Sequence, residues 1–302
     1  MIDIITRAGC FIAIIGLGYS LKKLGVFRQE DFRVLSTIVI RITLPASILF
    51  SFAGKEIDPS LLTLMLLGLG GGVIYMLLGF LLNLRRSPSH RAFDLLNLSG
   101  YNIGNFTLPF VQSFLGPMGV IATSLFDTGN AMVCLGGAFG IAATVKDGGR
   151  FDVRRVLRAL TRSVPFLCYL LATSLNLLHL QLPAPVLEFT GIIANANAFM
   201  AMLMIGVGFH IGGNRDQISS MIRILGLRYG VATVLAMLFY FALPFDLEVR
   251  QALVILTFSP IASAVPAFTA ELKEDAGLSS AINSISIVIS IVIIVTLLTV
   301  ML

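Results

Sequence analysis

Long apolar runs alternate along the chain with short polar or charged stretches. A transmembrane helix needs roughly twenty apolar residues to cross the hydrocarbon core of a bilayer. Ten runs approach that length, at residues 4–21, 33–53, 60–83, 93–114, 118–143, 162–179, 186–210, 222–243, 250–270 and 278–300. The pattern predicts an all-α polytopic membrane protein with ten transmembrane helices.

Composition agrees with this interpretation. The chain has 302 residues, of which 57% are hydrophobic and only 12% are charged, whereas soluble proteins carry about 25% charged residues. Its three cysteines, Cys10, Cys134 and Cys168, lie far apart in apolar segments. They indicate neither a disulfide framework nor a metal site, and we expect no cofactor.

The basic residues fall in alternate loops. Of the 21 Lys and Arg residues, only Arg7, Arg41, Lys55 and Arg250 lie outside residues 22–33, 84–92, 144–162, 211–228 and 271–277. By the positive-inside rule these five loops are cytoplasmic. We therefore expect a multi-pass protein of the plasma membrane, such as a bacterial inner membrane, with both termini outside. The net charge of +5 follows this topology and does not indicate nucleic-acid binding.

The chain divides into two similar halves. A basic cytoplasmic loop at 146–162 separates residues 1–145 from residues 163–302, with five predicted helices in each part. An odd number of helices inverts the second half relative to the first. At an offset near 154, ITLPASILF (42–50) falls on ANAFMAMLM (196–204). We predict a 5+5 inverted repeat, an organisation typical of secondary transporters.

One segment in each half contains helix-breaking residues at membrane depth. The fourth predicted helix contains NIGNFTLPF (102–110), and the ninth contains TFSPIASAVPAF (257–268). Proline removes a backbone donor and clashes with the preceding turn. Irregular backbone survives in a membrane only where protein or a wet cavity covers it. We expect two broken crossover helices that meet and form a substrate site from Asn102, Gly104, Asn105, Thr107, Pro109, Ser259, Pro260, Ser263 and Pro266.

The second half of each broken helix offers a new N-terminus to that site. Asn105 or Thr107 is expected to cap one of them, and Ser263 the other. Pro109 and Pro266 would then lie in the first turns, where proline is tolerated. Two helix N-termini at one spot favour an anion. Two proline kinks without any ligand remain an alternative.

Two charged residues lie near the middle of predicted helices, Arg41 in the second and Asp127 in the fifth. Charges at that depth are costly and normally pair or line a pathway. We expect an Arg41–Asp127 ion pair facing the interior. It is either structural, or functional through protonation of Asp127, which would free Arg41 for a substrate carboxylate.

Polar residues accompany these charges. Asn195 falls near the position equivalent to Arg41 and is a further candidate for substrate binding. Asn130 and Asn283 join Asp127 as candidates for proton or ion coupling. Arg7 and Arg228 are expected to extend from helix ends toward the interface, and LLGLGGG (66–72) predicts a small-residue face for close helix contact.

Four motifs resemble those of the auxin efflux carrier family, which holds plant PIN-type carriers and bacterial malate or malonate permeases. They are LGYSLKKLGVF, VIRITLPASILFSFAG, NIGNFTLPFVQSFLG and TFSPIASAVPAFTAE. The resemblance implies a fold like that of bile-acid sodium symporters, an elevator-type mechanism and organic anions as substrates. It assigns Asn102, Gly104, Asn105 and Pro109 to the first crossover and Ser259, Pro260 and Pro266 to the second. The chain lacks the large central loop of the plant carriers, and the resemblance assigns no role to Arg41, although Arg41 lies within the second of these motifs.

These observations favour a secondary carrier for small organic anions, which the resemblance implies are carboxylates, that is driven by the membrane potential or linked to protons. A sodium-coupled symporter and an anion-binding receptor that does not transport are the alternatives. Zinc-helix and nucleophile-elbow motifs of membrane enzymes are absent from the sequence. The expected partners are the lipid bilayer and the anion, with no nucleic acid, and a homodimer is an open possibility.

Overall fold

The computed structural model describes residues 2–28, 30–55, 57–148, 150–209 and 217–302, and its regular elements within those ranges are all helices, with no strand among them. Its α-helices run in chain order as α1 Ile2–Lys23, α2 Asp31–Ile38, α3 Leu44–Phe52, α4 Thr63–Leu81, α5 Pro88–Leu98, α6 Leu108–Phe114, α7 Pro117–Met132, α8 Ala138–Asp147, α9 Val153–Arg162, α10 Val164–Leu177, α11 Ala184–Asn195, α12 Asn197–Gly208, α13 Ile218–Ala242, α14 Leu247–Thr257, α15 Val265–Glu271 and α16 Ala276–Met301. One wider π-helical turn joins each of the pairs α2–α3 and α7–α8, at Val39–Thr43 and Val133–Gly137.

Seven helical segments among the described residues are long and apolar enough to cross a bilayer. An eighth results if α9 and α10, which meet at a 74° bend, count as one span. The structure is therefore an all-helical membrane protein, as the sequence predicts. The fourth and ninth predicted helices fail the length test because each consists of two short helices with a non-helical link.

The helices pack in two groups. The flanking group contains α1, α2, α3, α10, α11 and α12, in which α1 packs along α12, and α3 packs on α10 and α11. The junction group contains α4 to α8 and α13 to α16, where α7 packs on α4 and α14, α5 packs on α4 and α8, and α15 packs on α16. Both predicted sequence halves contribute to each group.

Close packing of α4 on α7 depends on glycine, which confirms the predicted small-residue face. A Cβ at Gly68 would lie 1.9 Å from the Phe126 carbonyl oxygen, and a Cβ at Gly129 would lie 1.8 Å from that of Met65. Gly70, on another side of α4, has nothing within 4 Å of its Cβ position.

Gly68→Ala is expected to lower the melting temperature of the purified protein, because the backbones of α4 and α7 must separate to admit the methyl group. Overpacking of this kind costs typically 1–3 kcal/mol, or about 2–12 °C for a chain of this size. Gly70→Ala is the matched control and is expected to change the melting temperature by less than about 2 °C. Equal melting temperatures for the two variants would contradict the close packing.

The basic segment 146–162 is not a plain loop. After α8 ends at Asp147, the chain forms α9 from Val153, where the Asp152 side chain accepts hydrogen bonds from the backbone N–H groups of Arg154 (3.0 Å) and Arg155 (3.3 Å). The sequence pattern did not predict α9, because the helix is too short and too charged to register as a span.

Candidate functional site

The chain leaves the helical conformation in both segments that contain the predicted breaks. After Leu98 it is non-helical over residues 99–102, then forms a π-helical turn, Ile103–Thr107, which leads into α6. After Thr257 it is non-helical over residues 258–264, and α15 begins at Val265. Gly100 adopts a φ of +76°, a conformation that residues with a side chain rarely adopt.

The two interruptions contact each other. The Asn102 N–H donates to the Pro260 carbonyl (2.9 Å), and the Thr107 and Ser259 hydroxyls share a hydrogen bond of 2.6 Å. The Asn105 side-chain amide donates to the Ser263 hydroxyl at 3.4 Å. We call residues 99–107 and 258–264 together the junction.

Arg228 binds both segments of the junction. Its guanidinium donates to the carbonyls of Leu98 (2.6 Å) and Gly100 (2.9 Å) in the first interruption, and to those of Ser259 (2.9 Å) and Pro260 (3.1 Å) in the second. The side chain is fully buried. The four carbonyls that lost their helical partners thus share one cation.

The prediction that Arg228 extends to the interface was wrong. Helix α13 begins at Ile218, four residues before the predicted start, so Arg228 lies well inside it. The rings of Tyr75 and Tyr101 lie 5.1 Å and 5.4 Å from the guanidinium carbon, a distance at which a cation interacts with an aromatic face. The signal that sequence reasoning missed is a lone arginine between two apolar stretches.

Two asparagines fix the interruptions in similar ways. The Asn130 side chain on α7 accepts from the Tyr101 N–H (3.0 Å) and donates to the Tyr101 carbonyl (2.9 Å). The Asn283 side chain on α16 donates to the carbonyls of Ile261 (2.9 Å) and Ala262 (3.3 Å). Each asparagine replaces helical hydrogen bonds that the break removes.

Asn130→Ala is expected to speed hydrogen exchange of the Tyr101 amide about fivefold or more, because one lost buried hydrogen bond corresponds to about 1 kcal/mol or more. Thr123→Val is the control, since Thr123 lies buried on the same helix and its hydroxyl has no partner among the described residues. Hydrogen–deuterium exchange mass spectrometry of peptides covering 98–106 makes the comparison. Unchanged exchange in Asn130→Ala would contradict the proposed role of Asn130 in holding the backbone of Tyr101.

A cavity of about 160 Å³ opens beside the junction. Its lining includes six of the residues predicted from sequence, namely Asn102, Gly104, Asn105, Asp127, Asn130 and Ser263. The remaining predicted residues lie outside its lining: Arg41, Thr107, Pro109, Asn195, Ser259, Pro260, Pro266 and Asn283. Of these, Thr107 and Ser259 are buried in the junction.

Asp127 faces this cavity and is held by neutral groups. Its carboxylate accepts hydrogen bonds of 2.8 Å from the Asn130 side chain and from the Tyr169 hydroxyl. A Cβ at Gly104 would lie 3.3 Å from one carboxylate oxygen, so glycine leaves room for Asp127. The sequence offered no signal for Tyr169, which lies in an apolar run of α10.

The predicted Arg41–Asp127 ion pair was wrong. Arg41 lies exposed in the π-helical turn Val39–Thr43, while its neighbour Ile40 lines the cavity. Among the described residues, the ion pairs include neither Arg41 nor Asp127. Two residues that both lie near the middle of a predicted membrane helix need not face each other, because depth does not determine which side of its helix a residue occupies.

The predicted caps also differ from the structure. Neither Thr107 nor Ser263 bonds to a helix N-terminus, because each hydroxyl is bonded across the junction. The helical turn starts earlier, at Ile103, and places Asn105 inside it. Pro109 and Pro266 do lie in the first turns of α6 and α15.

Two amide side chains keep unused hydrogen-bonding capacity at the cavity. The Asn105 side-chain oxygen is buried without a partner among the described residues. The Asn102 side chain caps no helix and forms none of the hydrogen bonds found in the described chain. Unpaired polar groups of this kind are costly and call for a partner.

Wider clefts lie at both ends of the molecule between the flanking and junction groups. One, of about 500 Å³, reaches Asn102 and Ser263 and is also lined by Pro266 and Asn283. The other, of about 540 Å³, lies toward the opposite end and is lined by Asn195 and Lys55. The cavity at the junction therefore shares two lining residues with the first cleft.

Comparison with known proteins finds similarity to membrane transporters. The sequence model of a family described as "Membrane transport protein" matches residues 8–147. An uncharacterized transporter of Methanothermobacter thermautotrophicus is 22% identical over 230 residues, which cover 74% of each chain. Over residues 8–147, this membrane protein is therefore similar to the membrane transport protein family, that of the auxin efflux carriers.

Proposed function

We propose that the protein is a secondary carrier that moves small organic anions of the carboxylate class together with protons. The anion binds in the cavity at the junction, and Asp127 carries the proton. Movement of the junction group against the flanking group exposes the cavity to each side of the membrane in turn.

The observation that carries the proposal is the buried charge of Arg228. Its guanidinium is fully buried, and the ion pairs among the described residues do not involve it. Four carbonyls solvate it, but carbonyl dipoles do not cancel its net charge. A buried, uncompensated cation attracts an anion to the nearest accessible space.

The protonation state of Asp127 determines whether the cavity attracts an anion. While it is ionised, its charge opposes that of Arg228, and a carboxylate in the same small cavity meets a like charge. Once it is protonated, the positive charge of Arg228 remains. Anion binding and protonation of Asp127 are therefore coupled and favour each other.

Neutral donors are available for the carboxylate oxygens. The Asn102 side-chain NH2 forms none of the hydrogen bonds found among the described residues, and the Asn105 NH2 keeps a second N–H beside the one that donates to Ser263. The Ser263 hydroxyl, which accepts from Asn105, still has its own proton to donate. The cavity, at about 160 Å³, matches the volume share of about five water molecules. An acid of a few carbon atoms fits that space.

A symmetric pattern of contacts supports the proposed inverted repeat of ten spans. Three hydrogen bonds join residues at nearly constant separation: Thr43 to Asn197 at 154, Tyr75 to Arg228 at 153, and Thr107 to Ser259 at 152. Equivalent residues of two repeats meet only near the axis that relates them. The ten spans comprise the seven long segments, α10 and the two interrupted segments.

The clefts at both ends support an elevator-type exchange of access. They separate the flanking group from the junction group, whose interruptions are bonded to each other and to α13. A rigid junction group that slides along the flanking group would carry the cavity from one cleft toward the other.

The test is counterflow of radiolabelled carboxylates into proteoliposomes that contain the purified protein. Wild-type protein is expected to exchange at least one small carboxylate. A proton gradient directed inward, with the external medium more acidic than the lumen, is expected to drive accumulation of that carboxylate. A sodium gradient that drives accumulation at constant pH would favour the sodium-coupled alternative. Binding of the acid without exchange would favour a receptor and contradict the proposal.

A further inference from the structure

We propose that α9 lies in the membrane interface and binds the headgroups of anionic phospholipids. The proposal goes beyond the transport function and does not depend on it. It starts from the 74° bend between α9 and α10. Because α10 continues as an apolar segment suited to the bilayer, α9 runs close to the membrane plane.

One face of α9 is packed on the protein and fixes the orientation of the helix. Leu160 is buried together with Ala131 and Phe166, and Val156 packs on this cluster. Since successive residues of an α-helix are rotated by about 100°, the direction of the other side chains follows from this contact.

An apolar stripe lies beside the packed face. Val153 and Leu157, four residues apart, are each 55% exposed. On a helix at the level of the lipid headgroups, such a stripe enters the boundary of the acyl chains.

A basic stripe follows on the next side of α9. Arg154, Arg158 and Arg162 are spaced by four residues and are all exposed. None of them takes part in an ion pair formed by the described residues. Arg155 differs, since it is paired with Glu271 on α15 at 2.5 Å.

The order of these faces matches a lipid surface. The protein contact, the apolar stripe and the arginine stripe succeed one another around the helix, as expected of a helix with protein on one side, acyl chains below and headgroups at its flank. The planar guanidinium of arginine recognises a phosphate through two hydrogen bonds. An anionic phospholipid supplies both the acyl chain and the phosphate.

The experiment compares the melting temperature of delipidated, purified protein in detergent with added phosphatidylglycerol or phosphatidylcholine. Phosphatidylglycerol is expected to raise the wild-type value by several degrees more than phosphatidylcholine does, by mass action. The variant R154Q/R158Q/R162Q is expected to lose at least half of that difference. Its melting temperature in phosphatidylcholine, equal to that of wild type, shows that it folds.

The matched control removes the same charge elsewhere. The variant R33Q/R85Q/R86Q neutralises three other exposed arginines and is expected to keep the phosphatidylglycerol shift. An equal loss of the phosphatidylglycerol shift in both variants would show that the shift comes from non-specific electrostatic attraction, which overturns the proposal. An equal shift with glycerol phosphate would assign the site to free phosphate, which also overturns it.

A second measurement remains informative if the triple variant does not fold. In this measurement the native cysteines are replaced, and a fluorophore is attached to the cysteine of Leu157→Cys. Its fluorescence is expected to be quenched more by spin-labelled phosphatidylglycerol than by spin-labelled phosphatidylcholine. Quenching by aqueous iodide alone would place α9 in water and contradict the interfacial position.

Discussion

Arg228→Lys is expected to abolish carboxylate uptake and to lower the melting temperature by about 10 °C or more. The guanidinium reaches four carbonyls of the junction in a fixed, forked geometry, and lysine offers three donors from a single point. Each buried carbonyl left unpaired costs about 1–3 kcal/mol, and 1 kcal/mol corresponds to about 2–4 °C for a chain of this size. Thermal unfolding in detergent and uptake into proteoliposomes measure the two effects.

Arg250→Lys is the matched control. Arg250 also donates to a backbone carbonyl, that of Tyr240 at 2.9 Å, and also lies near a tyrosine ring, at 5.6 Å, but it lies away from the junction. We expect a smaller change in melting temperature and retained uptake. If Arg228→Lys behaved like Arg250→Lys, Arg228 would not hold the junction together.

Asp127→Asn is expected to separate anion transport from the proton. Asparagine resembles the protonated aspartate in charge and size, so the cavity keeps the positive charge of Arg228 at every pH. Counterflow of the carboxylate is expected to persist and to become independent of pH. A pH gradient is expected to drive no accumulation in the variant, whereas one proton per anion gives wild type a limit of about tenfold accumulation per pH unit.

Tyr169→Phe provides the comparison for this prediction. It removes the hydroxyl that donates to Asp127 at 2.8 Å but keeps the carboxyl group that carries the proton. Accumulation driven by the pH gradient is therefore expected to persist, with an altered pH dependence. Accumulation by Asp127→Asn equal to that of wild type would show that another group carries the proton.

The interruptions and the glycine contacts could be predicted from the sequence because their causes are local. Proline lacks the N–H that continues a helix, and glycine weakens it, so Pro109 and Pro266 point to their segments without any tertiary information. Glycines 68, 71 and 72 are buried in α4 for an equally local reason, their lack of a side chain.

The partners of buried charges could not be predicted, because they depend on how helices face one another. The sequence shows the depth of Arg41 and Asp127, but a rotation of a few tens of degrees decides whether they meet. The four carbonyls that bind Arg228 are backbone groups, which leave no trace in residue identity. A helix start four residues earlier was enough to move Arg228 from a helix end to the interior.

Protection of a cysteine at the junction tests the central claim most directly. In protein without its native cysteines, Ser263→Cys lines the proposed anion cavity, and Ser113→Cys lines the cleft at the opposite end. A transported carboxylate at ten times its dissociation constant is expected to slow thiol labelling of Ser263→Cys about tenfold, by mass action, and to leave Ser113→Cys unchanged. Labelling of Ser263→Cys at the same rate with and without a carboxylate that this variant still transports would contradict binding at the junction.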